Sequence, residues 1–297
     1  MEAIRVNNIT KSYENINALS NVSFSINQTE IFGLIGPDGA GKTTLIRILT
    51  SLILPDEGNA YILNLDLKKD YKQIRKIIGY MPQRFSLYMD LSVEENLQFY
   101  AEIFGVSIKD NYYLIEPIYK QIEPYKERKA GKLSGGMKQK LALSCALIHR
   151  PKFLLLDEPT TGVDAISRIE FWEMLKNYQN EGITILVSTP YMDEALQCNR
   201  LAFIKEGKIL TVASPSEILN NYPFNIYDIK NENTYQTIEY FKKIIPDAII
   251  NRFGQSLHCS TQLSFDEIIQ ATDINNILIE KIEPTIEDCF LWISQQQ

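Results

Sequence analysis

The stretch Gly36-Pro37-Asp38-Gly39-Ala40-Gly41-Lys42-Thr43-Thr44 constrains this chain more than any other. It fits the pattern G-x-x-x-x-G-K-S/T at every required position. Ile31 to Ile35, just before it, form an apolar run short enough for a buried strand, and Leu45 to Leu49, just after it, continue as a helix. Strand, glycine-rich loop and helix in that order make a cradle for phosphate groups. The glycines let the backbone fold tightly and turn its N–H groups inward, and the helix presents its positive end to the same spot. Lys42 is placed to reach the β- and γ-phosphates of a nucleoside triphosphate, and the Thr43 hydroxyl to ligate Mg²⁺.

A second landmark is Phe153-Leu154-Leu155-Leu156-Asp157-Glu158. Its apolar residues read as a central strand, with two carboxylates at the C-terminal end, where parallel sheets bind ligands. Asp157 is suited to holding Mg²⁺, and Glu158 to orienting or polarising an attacking water. Two acidic residues there also suit a helix N-cap, but Pro159-Thr160-Thr161-Gly162 reads as a sharp turn. A third landmark is Leu133-Ser134-Gly135-Gly136-Met137, directly before a helix expected over about 137–149. Glycines at a helix start offer a second place for phosphate.

Buried strands alternate with helices from 31 to 204, which predicts a parallel sheet with helices on both faces. Strands are expected at 4–9, 19–26, 59–65, 78–83 (ending in a loop at Gln83) and 183–188, and a hairpin at 201–212. Helices are expected at 70–77, at 93–104 with Ser92 as N-cap and Glu95 completing a capping box, and at 165–178. Tyr13, between the first two strands, is either a base-stacking aromatic or a half-exposed strand-turn residue. After Pro215 the pattern changes to strand, helix, strand, helix, strand and a last helix, with one strand expected at 247–260 and another at 276–281. We therefore expect domains at 1–220 and 221–297, the second a small α+β unit.

Composition sets outer bounds. The net charge of −7 argues against a protein that coats nucleic acid, so no nucleic-acid partner is expected. The four cysteines have no metal-ligand spacing and suit a reducing compartment. No secretory signal is visible at the start and no long apolar run is present, so a membrane role is expected to come through a partner.

Together the landmarks resemble the nucleotide-binding subunit of an ABC transporter. The motifs that carry the resemblance are Gly36–Thr44 (Walker A), Gln83 (Q-loop), Leu133–Met137 (signature), Phe153–Glu158 (Walker B and catalytic Glu) and Thr161–Asp164 (D-loop), and it covers about residues 3–215. It implies a P-loop NTPase core with an antiparallel β subdomain and an inserted helical subdomain at about 84–150. Two such domains, identical or different, would sandwich two ATP molecules head to tail. Lys42, Thr43, Gln83, Asp157 and Glu158 would serve the chain's own Mg-ATP, with Thr43, Gln83 and Asp157 around the metal. Ser134, Gly135 and Gly136 would serve the partner's nucleotide, and Tyr13 would stack on adenine. An integral membrane permease would be the further partner, placing the chain on the inner face of the cell membrane. The ending Pro284-Thr285-Ile286-Glu287-Asp288-Cys289-Phe290-Leu291 resembles the tail of drug- and polysaccharide-exporter ATPases, which implies export.

The chain departs from the family in three places. Pro190 stands where a histidine facing the γ-phosphate is expected, and neither His149 nor His258 is an obvious substitute. Proline has no side-chain donor and no N–H. Asp38 replaces an Asn, and Met137 replaces the Gln that ends the signature. The proline keeps open a binding subunit with weak hydrolysis. A soluble ABC ATPase of DNA repair or translation is a further alternative, but no sustained heptads and no second Walker set occur.

Overall fold

The computed structural model describes residues 2–84, 86–231, 234–272 and 277–296. Contacts divide the chain into Met1–Ser214 and Pro215–Gln297. The expected boundary after residue 220 differs from this division by one short helix.

The first unit opens with β1 (Glu2–Tyr13) and β2 (Ile16–Asn27), an antiparallel ribbon longer at both ends than the apolar cores of its strands suggest. β3 (Ile31–Ile35) leads into the phosphate-loop residues and α1 (Lys42–Leu49). β4 (Glu57–Ile62) and β5 (Leu65–Asp66) follow, and β4 pairs with β1. The single strand expected at 59–65 is thus a hairpin. Leu63 and Asn64 both lie at positive φ, 49° and 64°, which reverses the chain. Next come α2 (Tyr71–Ile77), β6 (Ile78–Met81), α3 (Val93–Phe104), α4 (Ile108–Tyr119), α5 (Gly135–Leu147), β7 (Phe153–Asp157), α6 (Ala165–Asn180), β8 (Thr184–Thr189), β9 (Arg200–Lys205) and β10 (Lys208–Ala213). The Ser92 capping box forms as expected. α5 begins two residues before the expected start because Ser134 is its N-cap, so both signature glycines lie in the first turn.

The central sheet has the order β10-β9-β3-β8-β7-β6, parallel throughout except for the β10 edge. Its central strands β3, β8 and β7 are buried on both faces, as their largely apolar runs require. Alternate residues feed two cores. Phe153 and Leu155 join the core beneath the β1-β2-β4-β5 sheet and α1, while Leu154 and Leu156 join the core beneath α3–α6. The helices α3, α4 and α5 are inserted between β6 and β7.

Register then aligns the strand ends. Ile35 sits beside Thr189, and Asp157 beside Ser188. One edge of the sheet therefore gathers the phosphate loop, the two carboxylates and the segment after β8. Gly36, the first residue beyond β3, has no room for a side chain: an added Cβ would lie 2.0 Å from the Ile204 carbonyl oxygen on β9.

The second unit begins with α7 (Pro215–Asn220). Then β11 (Asn225–Lys230), α8 (Thr234–Ile244), β12 (Ile249–Phe253), β13 (Ser256–Thr261), α9 (Phe265–Ala271), β14 (Leu278–Ile282) and α10 (Ile286–Gln295) follow. The run 247–260, expected as one strand, is the hairpin β12–β13, because a turn at Gly254-Gln255 reverses it. Asn276, in the expected last strand, lies outside the described residues. The antiparallel order β12-β13-β11-β14, with its β-α-β-β-α-β succession, is a ferredoxin-like sheet.

α10 begins at the exporter-like tail. Thr285 caps the helix and Asp288 returns the bond to the Thr285 N–H at 2.9 Å. The other Asp288 oxygen is hydrogen-bonded to His258 Nδ1 on β13, also at 2.9 Å. That histidine stacks on Phe253, with ring centroids 3.8 Å apart. The tail residues thus fasten the last helix to its own unit.

Two expectations follow. Gly36→Ala should lower stability by about 3 kcal/mol or more, because the contacted atom is backbone that cannot move aside, and a shifted urea midpoint reads this. For Asp288, burial pushes the carboxyl up, but the bonds from His258 and Thr285 outweigh it and hold it below its ordinary value. A depressed carboxyl stabilises the fold above its unfolded value and loses that contribution as pH falls through the folded one. The thermal-stability advantage of the natural protein over Asp288→Asn should therefore shrink as pH falls below about 4.

Candidate functional site

The loop between β3 and α1 is closed by its own backbone and by Lys42. Gly39 and Gly41 sit at φ 78° and 104°, and a Cβ on Gly41 would also lie 2.4 Å from the Ala18 carbonyl oxygen. The Gly36 N–H donates to Thr189 O at 3.3 Å, which joins the loop to the end of β8. Lys42 is 3% exposed. Its ammonium donates to the carbonyls of Gly36 (2.8 Å) and Pro37 (2.9 Å) and lies 3.0 Å from Glu158 Oε1. Pro37 and Asp38 face solvent at the loop's outer side.

Asp157 lies fully buried at the end of β7. Its Oδ1 accepts from Ser188 Oγ at 2.8 Å and from Thr43 Oγ1 at 3.2 Å. Its Oδ2 is buried and has no protein partner among the described residues. Burial pushes the Asp157 carboxyl above its ordinary value; the bonds from Ser188 and Thr43 act against this, and neighbouring Glu158 adds to it. A buried carboxylate oxygen with no donor, beside a threonine hydroxyl, is the oxygen set that a small hard cation needs. The residues present therefore fit Mg²⁺.

Glu158 has φ 48°, in the left-handed region that side chains with a Cβ disfavour, and such strain clusters at functional sites. Its N–H donates to both Ser188 O (3.1 Å) and Ser188 Oγ (3.0 Å), which holds the twisted backbone. Its Oε2 accepts from Gln83 Nε2 at 2.8 Å and from Thr161 Oγ1 at 3.4 Å. The Q-loop residue therefore meets the carboxylate directly.

Lys42, Thr43 and Glu158 border a cavity of about 380 Å³, lined by Ile16–Ala18, Gly39–Thr44, Glu158 and Glu206; Asp157 and Gln83 join them through hydrogen bonds to Thr43 and Glu158. Most of the residues expected from the sequence are thus brought together. Tyr13 is exposed, faces Ile16 across the hairpin and carries Lys11 Nζ 5.7 Å from its ring; Ile16, not Tyr13, lines the cavity. Ser134, Gly135 and Gly136 also lie outside the lining. Ser134 caps α5, and Gly136 packs so closely on α6 that a Cβ would lie 2.9 Å from Ser167 Oγ. Sequence reasoning missed Ser188, Asn17 and Glu206. Ser188 becomes visible only through the β7–β8 register that sets it beside Asp157.

The ABC transporter family pattern matches residues 19–161. A relative in Escherichia coli, named "Probable multidrug ABC transporter ATP-binding protein YbhF", is 37% identical over 97% of this chain, and the chain spans about half, 51%, of that relative's length. The Nod factor export ATP-binding protein I of a Rhizobium species is 30% identical, over 99% of this chain and 98% of its own length. Among solved structures, an ATP-binding subunit of an ABC transporter superposes with a TM-score of 0.67 at 26% identity, covering 74% of this chain and 93% of its own. A dimeric ATP-binding cassette in a post-hydrolysis state with ADP and Pi gives 0.65 at 28% identity, covering 71% and 98%. The glycine loop closed by Lys42, the paired carboxylates at the sheet edge and these similarities agree: the chain belongs to the ABC transporter ATP-binding family.

Proposed function

We propose that this chain binds Mg-ATP in the 380 Å³ cavity and hydrolyses it to drive transport, in the export direction, through a separate membrane subunit. The observation that carries this reading is the meeting of Lys42, Gln83 and Thr161 on one strained carboxylate, Glu158. Next to it stands the Thr43–Asp157 pair with its unpartnered oxygen. Thr43 and Asp157 would hold Mg²⁺, which neutralises charge developing on the phosphate oxygens. The names of relatives that serve multidrug transport and Nod factor export support the direction.

The chain's own residues account for the chemistry. The Lys42 ammonium has three donors: two hold the loop carbonyls and the third meets Glu158. A phosphate on the loop competes for that third donor. Glu158 then exchanges Lys42 for a water, whose proton it accepts as the oxygen attacks the terminal phosphorus. Gln83 stays bonded to the same carboxylate and orients it. Loop N–H groups and the start of α1 stabilise the negative charge. ADP and phosphate leave, and the proton passes from Glu158 to solvent.

The dimeric solved cassette supports a second cassette as partner, identical or different. In the head-to-tail arrangement that the family resemblance implies, the partner's signature segment would complete this site. Ser134, Gly135 and Gly136, exposed or partly exposed at the start of α5, would do the same for the partner. Tyr13, beside Ile16 at the cavity rim, would lie against the adenine. No described helix is long and apolar enough to cross a membrane. A permease subunit at the inner face of the membrane is the proposed translocation partner, and the inserted helices α3–α5 its docking region.

Pro190 supports a slower site as a second reading. It follows β8 directly, where Thr189 O meets the phosphate loop, and it supplies neither a side-chain donor nor an N–H. A missing hydrogen bond to developing phosphoryl charge costs about 2–4 kcal/mol, or a rate factor of about 10²–10³.

Steady-state phosphate release from the purified chain tests both readings. Glu158→Gln should reduce turnover by about 10²-fold or more while retaining ATP binding. Pro190→His should raise turnover by about 10²-fold if the proline limits the rate. Equal rates for natural protein and Pro190→His would remove the slow-site reading, and full activity in Glu158→Gln would remove the assignment of Glu158 as base.

A further inference from the structure

The turn that follows β7 is gripped from two sides. Glu158 leaves the strand at φ 48°, and Pro159 and Thr160 carry the chain away. On one side Gln139 of α5, fully buried, donates to Pro159 O at 2.9 Å. On the other side stands Glu194, in the short 3₁₀ helix Met192–Gln197 that begins just beyond Pro190.

Glu194 is 3% exposed, and both its oxygens are engaged. Oε2 accepts from the hydroxyl of Thr160, itself fully buried, at 3.1 Å. Oε1 accepts from Arg168 Nε on α6 at 3.0 Å. Arg168 also reaches Asp193 at 3.2 Å and lies 4.3 Å over the ring of Tyr191. One carboxylate thus joins three segments: the turn after Glu158, the helix after that turn, and the stretch beginning at Pro190.

We propose that Glu194, acting through Thr160, is a positioning residue for ATP hydrolysis. It holds the Glu158 carboxylate and the residue-190 segment in one fixed relation. This rests on the hydrolysis reading above. Three physical points carry it. Burying the Glu194 carboxylate, 3% exposed beside an arginine that is 23% exposed, costs desolvation that an apolar side chain would avoid, so packing alone does not account for it. Thr160 is two residues from Glu158, so a shift of the turn moves the reacting carboxylate directly. Pro190 has no N–H and so donates no backbone hydrogen bond to the site, whereas Glu194 in the same segment accepts from Thr160 in the turn after Glu158.

A displacement of about 1 Å at a reacting group costs about 10²-fold in rate without removing any ligand contact. The test compares Thr160→Val, Thr160→Ser and Glu194→Gln in the full chain. It measures kcat and KM for ATP hydrolysis, together with the affinity for a non-hydrolysable ATP analogue. Thr160→Val keeps the side-chain shape and removes only the hydroxyl. It should lower kcat by about 10- to 100-fold, with KM and analogue affinity within about twofold of the natural protein. Glu194→Gln should behave in the same way, and Thr160→Ser should recover turnover. A Thr160→Val protein with unchanged kcat overturns the inference while the hydrolysis reading stands. So does a loss that appears in KM or analogue affinity rather than kcat. Absence of turnover in the natural protein itself overturns both.

Discussion

The buried ammonium of Lys42 is the interaction on which the site depends. It bonds the carbonyls of Gly36 and Pro37 and meets Glu158, so a single side chain closes the loop and ties it to the end of β7. A lysine 3% exposed needs this full set of partners, because an unpaired buried ammonium would be strongly disfavoured. In the proposed hydrolysis, an anion on the loop would compete with Glu158 for the third donor and would release the carboxylate as it arrives.

Ser188 supports that arrangement from the next strand. Its hydroxyl donates to Asp157 and accepts from the Glu158 N–H, so one small polar residue holds the Asp157 carboxylate and the Glu158 backbone. The bonds to Glu158 also hold its backbone at φ 48°. The turn beyond is fastened at Pro159 by Gln139 and at Thr160 by Glu194. Gln139 lies on the helix whose first turn carries Gly135 and Gly136, so this helix is bonded to the turn after Glu158 in its own chain.

Much of this was legible in the sequence because local pattern and local structure coincide. The G-x-x-x-x-G-K-S/T spacing predicts the strand, loop and helix around residues 31–49, and the structure forms them. Five consecutive strand residues, Phe153–Asp157, with no polar side chain before the last require a strand buried on both faces, and β7 is one. Ser92 and Glu95 predict a capping box that the structure contains. Misread segments failed at turns. Leu63-Asn64 and Gly254-Gln255 each reverse the chain inside a run that reads as one strand, since apolar alternation continues on both sides of a tight turn. The start of α5 was set by the Ser134 cap rather than by helix propensity, which the two glycines lower.

The phosphate loop, the two carboxylates, the family and the proline at position 190 are all readable from residue order alone. Each of these is a matter of residue type at short spacing, which backbone stereochemistry reads locally. Which side chains surround Glu158 and Asp157 follows from the folded arrangement instead. Strand register placed Ser188 beside Asp157, and packing brought Gln139, Arg168 and Glu194 to one turn. Those contacts join residues far apart in the sequence: 34 positions for Thr160 and Glu194, 75 for Gln83 and Glu158, and 114 for Thr43 and Asp157. They depend on which strands are neighbours and by how many residues they are offset. That is settled by the burial of two cores at once, and no local pattern encodes it.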